Sequence, residues 1–353
     1  MKRTLLIIAA SLTAAALGPR PGMAESFNVT VVAGHPPVFR WVRMIPESFE
    51  PAVNENLAAL GHEMTFDEQF GGSIAGVGEE LETVEQGLAE IGTCQSLFDP
   101  SKMPLQNVTY YTPFVSSDID VVGEVMGALQ DDPRMQTAYD DNNVVYLGAP
   151  MIIDDYLLMT DFPVESIGDL EGRKIAAPGA AVNWLSGTGA VAVAGNLTTY
   201  YNELQTGVYD GVIVFASAAA PGKLYEVAPY ATRLGLGAQY AGSLCANRDW
   251  FEGLDPAVQK ALTDAADTTG AWYLQDLSAA VEAAFATMTE NGATVTDAPE
   301  EMRAAWTGGM TNAAADWAGQ LDGMGYDASS VLSDYLDAMR QAGATPLRAW
   351  DEN

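Results

Sequence analysis

Positive charge is what this chain has least of. Lysine and arginine total 16 against 47 aspartates and glutamates, a net charge of −31 at pH 7. Such a surface repels nucleic acid and anionic lipid, which excludes both as partners. Histidine and cysteine are scarce too, at two residues each. His62 follows Gly61 at a helix exit, where a cation suits the dipole and no function is needed. His35 stands in a strand-to-helix turn and is the better site candidate. Neither has the Cys or His neighbours of a metal cluster, so no metal and no cofactor are expected. Cys94 and Cys245 lie in the apolar runs EIGTCQSL and AGSLCANR. An oxidising compartment allows them to pair, but lone buried thiols are equally ordinary there, and two unpaired cysteines are the expectation. Long apolar runs are missing beyond Leu5–Leu17, itself shorter than the ~20 residues of a membrane span, so no membrane insertion is expected. The acids are dispersed and 48% of residues are hydrophobic, which excludes a disordered acidic tail.

What is present begins with Met1-Lys2-Arg3-Thr4, the apolar run, Pro19 and Pro21, then Gly22-Met23-Ala24. A basic start, a short apolar core and a small-residue cleavage site predict a signal peptide over residues 1–24, cut before Glu25. Its removal takes away Lys2, Arg3 and Arg20 and no acid, so the charge moves from −31 to −31 − 3 = −34. The remainder exceeds what one core usually supports, which predicts two domains. Phe27–Ala33 alternates like a strand and stops at Gly34-His35-Pro36-Pro37. A helix over Val38–Leu60, a strand from Glu63, a helix over Val77–Gly87 and a strand over Ile91–Leu97 follow. Strand and helix in alternation argue for a parallel α/β sheet. Val144–Ile153 reads as one long strand crossing to the second domain, and Ala241–Asn247 as the crossing back. Asp255-Pro256 is an N-cap with Pro at the first helical position, opening a helix to about Asn291. The expected division is 25–153 plus 241–281 for one domain and 154–240 plus 282–353 for the other, interleaved on a double hinge.

Catalytic frames were sought in the same residues. Ser186 and Ser217 lack G-x-S-x-G, Gly187-Thr-Gly189 lacks the third glycine of a dinucleotide fingerprint, and Pro221-Gly222-Lys223-Leu224 lacks the Ser or Thr of a phosphate loop. Asp154-Asp155 are adjacent on an extended segment, so at most one faces a given cleft. The chain is expected not to be an enzyme; an exported α/β enzyme using Asp155, His35 and Tyr156 is the alternative.

The chain is organised around Gly172–Gly189, GRKIAAPGAAVNWLSGTG. Lys174–Ala177 reads as a strand that Pro178 ends and Gly179 turns, with a helix restarting behind it. A strand end running into a helix start presents free N–H groups to a crevice, a site of open α/β sheets. Leu170-x-Gly-x-Lys-Ile-x-x-Pro, then Leu204-Gln205-Thr206-Gly207-Val208-Tyr209-Asp210-Gly211, then Lys223-Leu224-Tyr225-Glu226-Val227 resembles the solute-binding proteins of tripartite ATP-independent periplasmic (TRAP) transporters, from about Asn28 to Gly292. The resemblance implies a two-lobed periplasmic-binding-protein fold braced by a long helix. It also implies a periplasmic location, a small-molecule solute, delivery to a membrane permease, and a monomer. In the family a signature arginine clamps the ligand carboxylate from the position held here by Ala176. A second arginine often stands where this chain has Tyr156, and the usual asparagine after the Asp-Gly pair is Val214.

A ligand between the lobes lies at the carboxyl ends of several strands. Those ends supply His35, Gln95, Asp155, Tyr156, Ala176, Asn183, Trp184, Val214 and Phe215. Phe215, Trp184 and Gln95 also fit ordinary core or strand-end roles. Three grips remain open without the family arginines. Arg40 with His35 holds an acid, although an exposed helical Arg40 is the commoner situation. Alternatively, Tyr156, Trp184 and Phe215 surround an aromatic acid, or Asp155 and Trp184 hold a neutral or cationic amine. Some organic acid is the leading expectation.

Overall fold

Strand β1 (Ser26–Ala33) is exposed at its N-terminal residues and buries Val31, Val32 and Ala33 in succession, so its inner end is covered on both faces and not on one as alternation predicts. It starts the chain described by the computed structural model, which covers residues 25–352; the expected signal peptide lies outside the described residues. β2 (Glu63–Phe70) and β3 (Ile91–Cys94) pair parallel to β1 on its two sides. The helix between β1 and β2 runs as Arg40–Met44 and Glu50–Ala58 around a π-helical turn, Ile45–Phe49. Pro46 and Pro51 each remove an i→i−4 donor, which accounts for the wider turn. After the helix Ile119–Gln130, capped by the Asp118 carboxylate, β4 (Val144–Gly148) adds to the same layer.

The single long strand expected over Val144–Ile153 is broken. Ala149 has φ +50°, and after Pro150 the chain resumes as β5 (Ile152–Ile153). β6 (Tyr156–Thr160), β7 (Lys174–Ala177), β8 (Val191–Ala194), β9 (Gly211–Phe215) and β10 (Tyr230–Arg233) then form a second layer. The chain returns through β11 (Gln239–Tyr240), which pairs antiparallel with β5 and completes a two-stranded hinge. β12 (Ser243–Asn247) lies antiparallel between β3 and β4, and β13 (Thr294–Asp297) joins β10 at the edge of the second sheet.

Both sheets are therefore mixed, which corrects the parallel expectation. β12 enters the first sheet from the opposite lobe, and β6 is antiparallel to β9 and β10 for the same reason. The two crossings also bring Cys94 and Cys245 onto adjacent strands. They form a disulfide with Cα atoms 5.8 Å apart, which corrects the expectation of lone thiols and suits an oxidising compartment.

Helix Pro256–Glu290 starts at the Asp255 cap and runs 35 residues. It packs against the helix Glu50–Ala58 and β4 on one side and against Ala216–Ala219 and β13 on the other, so it spans both lobes. Tyr273 on this helix donates its hydroxyl to the Ile152 carbonyl at 2.7 Å, fastening it to the hinge. The C-terminal helices Ala313–Gly323 and Ala328–Gln341 lie against Val108–Tyr111, and the latter also against Ile119–Gln130, elements of the first lobe. The expected division assigned them to the second.

Candidate functional site

Between the two sheets a narrow cavity opens where β1, β3 and β9 end and β6 begins. The centres of water molecules can occupy about 30 Å³ of it, room for about two of them. The first lobe contributes His35, just past β1; Trp41, on the first helical turn; Gln95, just past β3; and Leu97, Phe98 and Tyr110. The second contributes Tyr156 from β6, Ile213, Val214 and Phe215 from β9, Pro178 past β7, and Leu197 and Tyr200. Met151, Ile153 and Ala241 close it at the hinge.

The wall is aromatic and interlocked. Trp41 stacks on Phe39 at 4.9 Å between ring centroids, and Phe215 sits 5.8 Å from Trp41 and 5.0 Å from Tyr156. The Tyr110 and Tyr156 hydroxyls are 3.0 Å apart and share a hydrogen bond across the lobes. Behind them Trp184 stacks on Tyr110 and donates its indole N–H to the Tyr110 carbonyl at 2.7 Å. Its own carbonyl accepts from Trp306.

Polar groups are few, and among the described residues no lysine or arginine lines the cavity. The His35 imidazole is buried, which pushes its pKa down to about 4 and keeps it neutral near pH 7. Gln95 Nε2 stands 3.2 Å from His35 Nδ1 and donates to Glu80 Oε1 at 2.9 Å. The Glu80 carboxylate also accepts from the backbone N–H groups of Gly34 and Gly78. Burial nevertheless pushes its pKa up to about 7. Among the described residues, three that line the cavity carry a buried polar atom with no hydrogen-bond partner: His35 Nε2, Trp41 Nε1 and Tyr200 Oη. Buried polar groups are normally paired, so unpaired ones on both sides of one cavity mark a place where a ligand's polar atoms can complete the pairing.

The structure brings five of the expected residues together here: His35, Gln95, Tyr156, Val214 and Phe215. The other five do not line the cavity. Arg40 pairs with Asp276 on the long helix, which also receives Arg43 at 3.2 Å. The two arginines therefore fasten one helix to another. Asp155 accepts from Gly237 N–H and borders a separate acidic cleft with Ser117, Arg233 and Glu282, so it is no counter-charge for a solute in the cavity. Ala176 faces the opposite side of the second sheet from Ile175 and Ala177, packed with Tyr200, Leu204 and Val212. Segment Gly179–Leu185 is a 3₁₀ helix. Its three-residue repeat turns Ala181 and Trp184 inward and leaves Asn183 exposed on another face, beside Tyr111 and Trp317. Trp184 backs the cavity as an interlobe contact. Sequence reasoning missed Trp41, Tyr110 and Tyr200, the first two on short helices of the first lobe. The helical spacing of the run from Val38 was the signal that could have placed Trp41.

Two α/β lobes on a two-strand hinge, with an aromatic cavity where they meet, define a receptor that closes over a small solute. The description of bacterial extracellular solute-binding protein, family 7, matches residues 48–320, and the chain belongs to that family, the solute receptors of TRAP transporters. Solved structures agree on the fold. DctP7, a Bordetella pertussis extracytoplasmic solute receptor binding pyroglutamic acid, is 19% identical with a TM-score of 0.77, over 89% of this chain and 99% of that one. The ectoine-binding protein of the Halomonas elongata TeaABC TRAP transporter is 18% identical, with a TM-score of 0.76 and the same coverage. A Sulfitobacter TRAP protein with bound β-D-galacturonate is 18% identical at 0.73, again over 89% and 99%.

Proposed function

We propose that this protein is a periplasmic receptor that closes over one compact organic acid with a flat apolar body and delivers it to a TRAP-type permease, without chemical change. Export through cleavage before Glu25 and action as a monomer belong to the same reading. The observation that carries it is the interlobe cavity, aromatic on both sides, with unpartnered polar atoms of His35, Trp41 and Tyr200 in its walls. Ligand contacts made to both lobes exist only when the lobes are closed, so binding shifts the population towards closure.

The narrow apolar wall favours a single-ring solute over a sugar acid, whose many hydroxyls would go unpaired there. The position where the resemblance expects the carboxylate-clamping arginine is Ala176, which supports a grip of a different kind. An amine is disfavoured because Asp155 borders another cleft and the Glu80 carboxylate is already occupied by three donors.

A thermal-shift screen with pyroglutamate, benzoate, galacturonate, ectoine and choline tests the reading, because a ligand that binds only the native state raises the melting temperature. A ring acid is expected to give the largest shift and to be recovered unchanged after incubation. Conversion of the solute, or a shift with choline alone, would contradict it.

A further inference from the structure

The hydrogen-bond pattern behind the cavity determines which nitrogen of His35 carries the proton. Gln95 Nε2 is within reach of both Glu80 Oε1 and His35 Nδ1. A carboxamide nitrogen has two hydrogens and accepts nothing, so it donates one to each neighbour. Rotating the amide would set its oxygen against a carboxylate oxygen that already receives the Gly34 N–H, an acceptor facing an acceptor. The amide therefore points one way, His35 Nδ1 accepts, and the neutral ring carries its hydrogen on Nε2. Nε2 is the atom left buried without a partner.

Trp41 Nε1 is in the same condition, and an indole N–H only donates. The two rings meet edge to face with centroids 5.3 Å apart, and both residues line the cavity. Resting on the receptor reading above, we infer that the solute is recognised through an sp² oxygen, of a carboxylate or a neutral carbonyl, that accepts from His35 Nε2–H and Trp41 Nε1–H. Glu80 and Gln95 act as positioning residues that hold the imidazole in the donating tautomer. Both donors are uncharged, so the grip is directional and does not need a cation.

Nitrogen NMR on protein labelled with ¹⁵N-histidine tests the tautomer without any solute. Only His35 and His62 contribute signals, and the His62→Gln variant assigns them. At pH 8, where Glu80 is ionised, His35 is expected to be a neutral ring protonated at Nε2. Glu80→Gln, which frees the Gln95 amide to rotate, is expected to introduce the Nδ1-protonated form. An imidazolium at pH 7, an Nδ1–H ring in the wild type at pH 8, or a spectrum indifferent to Glu80→Gln overturns the assignment.

The recognition itself is tested by calorimetry with benzoate, benzamide and benzylamine, three probes of one size. Benzoate or benzamide is expected to bind, and which of them binds more tightly tells a carboxylate from a neutral carbonyl. His35→Phe and Trp41→Phe are each expected to weaken that binding about tenfold. Tighter binding of benzylamine, no binding of either oxygen probe at millimolar concentration, or wild-type affinity in both variants overturns the inference. The tautomer spectrum needs no solute, so a failure of the receptor reading is distinguishable from a failure of this one.

Discussion

The two lobes meet at one cavity but bring different chemistry to it. The first supplies His35 and Trp41, with Gln95 and Glu80 stacked behind them in a polar chain. The second supplies a mainly apolar face, Ile213, Val214, Phe215 and Pro178, relieved by the hydroxyls of Tyr156 and Tyr200. The strand β7 on which the family resemblance expects a carboxylate clamp here carries Ala176, turned to the other side of its sheet. What β7 and its turn do instead is make contact across the lobes. Gly179 has φ +48°, and a Cβ there would stand 2.7 Å from the Leu97 carbonyl oxygen. Trp184 reaches Tyr110 in the same region. On the proposed reading one lobe grips and the other seats, which separates solute recognition from closure.

The largest effect expected from breaking this arrangement is in the seat. Trp184→Ala removes a fully buried indole and its interlobe hydrogen bond, and is expected to cost about 3–5 kcal/mol of stability by chemical denaturation. A loss under about 1 kcal/mol would mean that the lobes do not depend on this contact.

Next comes the polar chain of the gripping lobe. Glu80 ionises near 4.5 in the unfolded chain and near 7 in the fold. Between those values the folded state holds the extra proton, so this group's contribution falls as pH rises and is fully unfavourable above 7. Glu80→Gln should therefore gain on the wild type by roughly 2–3 kcal/mol between pH 5 and pH 8. A stability difference that stays constant with pH would place the Glu80 carboxylate in a wetter setting than the structure shows.

Smaller again is Gly179→Ala, which forces a side chain into the left-handed region against Leu97. It should weaken solute affinity about tenfold while the solution scattering radius of the solute-bound form increases. Unchanged scattering and affinity would show that the lobes close without this approach. The smallest effects sharpen the comparison by being absent. Asn183→Ala should leave affinity unchanged, and Arg40→Met should cost at most about 1 kcal/mol of stability with no loss of affinity. A large affinity loss in Arg40→Met would restore the guanidinium to the site.

The parts of this that were legible in the sequence share one physical origin. His35 and Gln95 stand just past strand ends marked by Gly or polar residues, Val214 and Phe215 close an apolar run, and Tyr156 opens a strand behind the polar pair Asp154-Asp155. The long helix was legible from Asp255-Pro256 for a similar reason, since its start is local chemistry. Trp41 and Tyr110 were not, because they reach the cavity from short helices that only tertiary packing aims. Asn183 was misplaced because a 3₁₀ repeat and an α repeat send the same residue to different faces. Arg40 illustrates the limit of charge reasoning: its partner, Asp276, is 236 residues away. β8 and β13 escaped notice as short edge strands with exposed residues. The reversed directions of β6 and β12 come from the two crossings, which no local pattern records.

The most direct measurement is a crystal structure with the tightest-binding ring solute. The account predicts the solute in the interlobe cavity, with the Phe215 and Trp41 rings, 5.8 Å apart without it, parted to admit it, and one of its oxygens accepting from His35 Nε2 and Trp41 Nε1. A solute oxygen held by an arginine, or a solute lodged in the acidic cleft beside Asp155, would contradict it.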